Sequence, residues 1–136
     1  MKSKFYMVVM LIFATTMAFS QVSLNQCDAP EKVHVTKVFP TSAQLDWHPA
    51  PETFSWLVEV GPIGFVPGVG ASIIKEIVTF PITGQPRFVS MRMSGLEAGV
   101  KYDVYIRTDC EDNTEWVGPV SFVTPRSISP ILCPEK

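Results

Sequence analysis

The sequence predicts an all-β fold, a seven-stranded antiparallel Greek-key sandwich, and three observations carry that expectation. Seven short segments rich in β-branched and aromatic residues follow one another, with proline or glycine punctuating nearly every gap. No helical periodicity occurs after the first 20 residues, whereas a parallel sheet would require crossover helices. Leu96-Glu97-Ala98-Gly99-Val100-Lys101-Tyr102 sets a turn directly before a strand. That is the spacing at which a tyrosine in a Greek-key sandwich returns its hydroxyl to the backbone of the preceding turn, and a buried tyrosine needs such a partner.

Each strand follows from alternation, since successive side chains point to opposite faces. The first, Lys32 to Val38, turns Val33 and Val35 inward, and the second, Ala43 to His48, does so with Ala43, Leu45 and Trp47. Ser55 to Val60 contributes Trp56, Val58 and Val60, and Ile73 to Phe80 is a further β-branched run. Arg87 to Met93 offers Val89, Met91 and Met93; Lys101 to Cys110 offers Tyr102, Val104 and Ile106; Val117 to Thr124 offers Val120 and Phe122. Trp47 and Tyr102 are expected to be buried on opposite sheets.

The first residues read as a secretory leader, residues 1–20. Lys2 and Lys4 form a positive start, Met7 to Phe13 is unbroken and apolar, and Ala18-Phe19-Ser20 supplies small residues ahead of a cut before Gln21. The apolar run falls well short of the ~20 residues of a membrane-spanning helix, so no membrane insertion is expected after cleavage. A lipid-anchored Cys27 is disfavoured by the bulky Gln26 before it. The organisation expected is a lead-in over 21–31, one domain over 32–124 and a tail over 125–136. Without Lys2 and Lys4, nine basic residues face thirteen acidic ones. An acidic surface without a Lys/Arg cluster argues against nucleic acid or anionic lipid as partner.

Catalytic constellations are missing from the sequence. His34 and His48 lie inside strands at positions expected to face solvent, and there is no Gly-x-Ser-x-Gly elbow or metalloprotease His pair. Asp46 and Glu59 alternate with core residues and are expected on the solvated face, not as a glycosidase pair across a cleft. No enzyme activity and no cofactor are expected. Asp109, Glu111 and Asn113 mimic the start of a calcium loop, but Thr114 stands where glycine is required and Val120 where the bidentate glutamate belongs. A polar hairpin loop explains them without a metal.

Gly61-Pro62-Ile63-Gly64-Phe65-Val66-Pro67-Gly68-Val69-Gly70 lacks the spacing and following helix of a phosphate cradle. One reading is structural: Ile63, Phe65, Val66 and Val69 fold back to cover an edge of the sandwich. The other is a contact patch of Ile63, Phe65 and Val66 with Tyr105, open to a protein or glycan. The structural role, with Phe65 buried, is the expected one.

Cys27-x-x-Pro30, Trp47, Leu96 to Tyr102, and Trp116-Val117-Gly118-Pro119-Val120-Ser121-Phe122-Val123-Thr124 occur in the order of the fibronectin type III domain, which residues 27 to 124 resemble. The glycine-rich loop resembles a bacterial subtype found in secreted, often multidomain proteins; Ala98 stands where the family usually has proline. The resemblance implies an immunoglobulin-like sandwich acting as a secreted or cell-surface interaction or adhesion module. A carbohydrate-binding sandwich is the alternative, with Trp116, Trp56 and Tyr105 as the rings for stacking on sugars. The type III topology also implies a common pole for Cys27 and Cys110, hence a disulfide between them. Cys110 with Cys133, or three free thiols, remain as alternatives. Cys133 offers a dimer through an intermolecular bond; the plainer reading is a tail without a role, following a linker over Arg126 to Pro130.

Overall fold

The computed structural model describes residues 27–80, 84, 86–110 and 115–127; the segment 1–20 expected as a leader, Glu111 to Thr114 and Cys133 lie outside them. Seven strands form in order: β1 (Glu31–Val38), β2 (Ser42–His48), β3 (Ser55–Pro62), β4 (Ile74–Thr79), β5 (Val89–Ser94), β6 (Lys101–Thr108) and β7 (Val117–Val123). They make two antiparallel sheets, ordered β1-β2-β5 and β4-β3-β6-β7. The crossings of β2 to β5 and β3 to β6 give the Greek-key arrangement. β6 stops at Thr108, before the predicted Cys110, because the Asp109 amide makes the last bond to Ser55 and the Cys110 amide turns back to the Thr108 carbonyl.

The core lies between the sheets. Leu45, Trp47, Trp56, Val58, Val60, Met93, Val104 and Ile106 are all wholly buried in it. Trp47 and Trp56 meet edge to face across the sheets, with ring centroids 5.5 Å apart. Trp47 stands on the three-stranded sheet and Tyr102 on the other, as the alternation requires.

The alternation misplaces one residue, on β7. Val104 pairs with Val120 but Ile106 pairs with Val117, so β7 carries one extra residue between them. The bulge shifts the inward phase, so Val117, which even alternation turns outward, packs on the core, while Val120 keeps its pairing with inward Val104 and is half-buried. Gly118, at φ 134°, is required there: a Cβ would sit 2.6 Å from the Val104 carbonyl oxygen.

At the corner before β6, the Glu97 amide donates to the Tyr102 hydroxyl at 2.9 Å. Thr124, buried, closes the other side: the Val100 amide donates to Thr124 Oγ1, and the Gly99 amide to the Thr124 carbonyl. The corner therefore forms with Ala98 in place of proline. Tyr102→Phe leaves the Glu97 amide without that acceptor and is expected to cost about 1 kcal/mol, seen as a lower urea midpoint at unchanged slope.

A disulfide joins Cys27 to Cys110, with Cα atoms 6.2 Å apart and 83 positions of sequence between them. Beside it, Thr108 Oγ1 donates to the Asp28 carbonyl at 2.6 Å. On the outer face of the three-stranded sheet, Asp46 accepts from Gln44 Nε2 and Ser90 Oγ. Burial works against its charged form, but hydrogen bonds from Ser90, Gln44 and Thr36 and the charge of His34 outweigh it and hold the carboxyl below its ordinary 3.8. That contribution to stability is complete at neutral pH and disappears as acid protonates the group. His34 is exposed and His48 half-buried.

Candidate functional site: the strap over the four-stranded sheet

The outward positions of the central strands are Leu57, Glu59 and Gly61 on β3 and Asp103, Tyr105 and Arg107 on β6. Register sets them side by side, pairing Leu57 with Arg107, Glu59 with Tyr105 and Gly61 with Asp103. Such a face normally meets water. Here residues 61–70 fold back over it as a strap, which corrects two expectations: the loop covers the face of the sheet and not its edge, and Glu59 is 0% exposed instead of solvated.

The strap turns at Pro62 to Phe65, where the Phe65 amide donates to the Pro62 carbonyl and Gly64 adopts φ 82°. Phe65 then drops onto Gly61. A Cβ at Gly61 would stand 2.7 Å from the Phe65 ring, so the missing side chain forms the floor of the socket. Tyr105 makes its wall, edge to face at 5.3 Å. Further on, a Cβ at Gly68 would lie 3.7 Å from Trp116 Nε1, which places the strap against the residue preceding β7.

Two buried carboxylates hold the strap by its backbone. Asp103 accepts from the Gly64 amide at 2.8 Å and from Ser121 Oγ at 2.6 Å. Glu59 Oε2 accepts from the Gly68 amide at 2.8 Å. Its other oxygen lies 3.3 Å from Lys75 Nζ, in ion-pair range but without hydrogen-bond geometry, so charge alone connects the two. Burying a carboxylate unpaired would cost several kcal/mol, about the scale on which such partners matter. Sequence reasoning missed this role because alternation assigns Glu59 outward, which is correct, and says nothing about what lies over it.

The candidate patch is thereby split. Ile63 and Val66 are exposed, whereas Phe65 is 7% exposed and Tyr105 half-buried beneath it. Val69 on the strap is also exposed, as is Ile77, beside Leu57 on β4. Among the sugar-stacking candidates, Trp56 is in the core and Trp116 is half-buried with the Arg107 guanidinium 4.8 Å over its ring. Phe39 and Phe88 are exposed, but the register puts them at opposite ends of the three-stranded sheet, not in a row. Among the described residues no group of three or more His, Cys, Asp or Glu side chains is placed to hold a metal, and no helix is long and apolar enough to cross a membrane.

No protein-family model matches the chain, and no curated protein matches it either. Solved structures do. The human collagen alpha-1(XX) fn3 domain aligns with 79% of this chain and 93% of its own at 16% identity, TM-score 0.55. The FN5 domain of Drosophila Lar aligns over 72% and 96% at 18% identity, TM-score 0.54. A human contactin 1 fn3 domain aligns over 76% and 82% at 13% identity, TM-score 0.56. The chain thus has the immunoglobulin-like fold of the fibronectin type III domain. On that fold the chain carries a carboxylate-held strap across the outer face of the four-stranded sheet.

Proposed function

We propose that this domain is a non-catalytic protein-interaction module of an exported, extracellular protein, and that the strap with the adjoining face of β4 is its contact surface. The observation that carries the reading is the display of Ile63, Val66 and Val69, all more than half exposed, on a backbone that Glu59 and Asp103 hold in place. Exposed apolar groups on a preorganised loop favour association, since little ordering entropy is lost on binding. The leader-like start and the Cys27–Cys110 bridge both suit an oxidising compartment. Aliphatic side chains favour a protein over a glycan, because sugar faces are held by open aromatic rings.

A photo-crosslinking residue at Val66, compared with one at Ser90 on the opposite sheet, tests the surface in the native extracellular mixture. Adducts to a discrete protein from Val66 alone, lost on Val69→Asp, are the expected result. Binding on a glycan array that disappears with Tyr105→Ala, and no adduct from Val66, would instead establish the carbohydrate reading.

A further inference from the structure

The strap is tied to the sheet by charge as well as by packing. We propose that it is an acid-releasable cover: ionised Glu59 and Asp103 hold residues 61–70 closed, and loss of their charge opens the strap and uncovers Phe65 and Tyr105 as a second, aromatic surface. The two ties come from different strands and reach different points of the strap, Gly64 from β6 and Gly68 from β3. Both amide bonds exist only with the strap closed. An ionised carboxylate is the stronger acceptor, so charge and closure support each other. Taking up a proton from solvent weakens each amide bond and cancels the attraction between Glu59 and Lys75.

The surroundings supply no substitute charge. Glu59 faces Lys75 on β4, Tyr105 on β6 and the Gly68 amide on the strap. Arg107, diagonal to it on β6, is engaged over Trp116. Asp103 faces the Gly64 amide and Ser121 on β7, with exposed Lys101 two positions back on the same face. What remains on discharge is the Phe65 plug. Gly64 and Gly70 both hold positive φ, a conformation glycine enters and leaves without steric penalty. Opening would remodel the proposed contact surface, and only that consequence rests on the interaction reading.

Amide hydrogen exchange by NMR on the oxidised protein tests the device without any partner. Protection factors at Gly64 and Gly68, each divided by that at Val58 in the core, are compared along a series from neutral pH into acid, down to the lowest pH at which Val58 stays protected. Both ratios are expected to fall by about tenfold or more in acid, one tenfold step being a modest hydrogen-bond free energy. At neutral pH, Glu59→Gln is expected to lower the Gly68 ratio more than the Gly64 ratio, and Asp103→Asn the reverse. Unchanged ratios in acid, or Gly64 and Gly68 losing protection only together with Val58, overturn the proposal. If either variant fails to fold, the pH series on the parent protein decides alone.

Discussion

Removing the Cys27–Cys110 bridge is expected to lower the stability of the domain by about 4 kcal/mol, since a cross-link closing a loop of this length restricts the unfolded chain by roughly 4 to 5 kcal/mol on the chain-entropy account. The separation of 83 is most of the domain, so the bridge constrains most of the domain's unfolded chain. The bridge also ties the segment before β1, in one sheet, to the end of β6, in the other. Without it, that segment retains the Thr108 bond to the Asp28 carbonyl. Urea unfolding of the parent and of the Cys27→Ala, Cys110→Ala double variant measures the loss. Peptide mapping of the parent should recover the same pair, leaving one thiol, Cys133, free in the monomer. An unchanged midpoint, or recovery of Cys110 joined to Cys133, would contradict the assignment.

Phe65→Ala is expected to cost about 3 kcal/mol, the lower end of the range for a buried aromatic. The ring fills the place of a side chain that Gly61 lacks and packs edge-on against Tyr105, and nothing of its size on the strap can substitute. The loss is bounded by the free energy with which the strap closes, because beyond that limit the strap opens and the sandwich persists. Thermal melting of the variant beside the parent reads the effect. An unchanged midpoint would mean that the ring contributes nothing to the fold and would return Phe65 to the contact surface.

Much of the molecule follows from short-range patterns. Period-two alternation places Trp47, Trp56, Val58, Met93 and Ile106 inward, and each is buried as expected. The spacing from Leu96 to Tyr102 yields the corner hydrogen bond, because turn and tyrosine are local to one another. The partner across the corner, Thr124, is 27 positions from Glu97 and carries no local signal. The same limit explains β7: alternation counts residues evenly, and the bulge at Gly118 is imposed by the approach of the Val104 carbonyl from β6.

From sequence alone, then, come the seven strands, the inward faces of all but β4 and the start of β7, and the sandwich, since each is set by the alternation and turn chemistry of neighbouring residues. Tertiary structure alone decides that the glycine-rich segment lies over the sheet face, that Glu59 and Asp103 become its buried anchors, and that Gly61 and Tyr105 form the socket receiving Phe65. The reason is physical: a pattern within a strand tells which way a side chain points, whereas its burial depends on which distant segment returns to cover it. Here the return is made possible by one absent side chain, at Gly61.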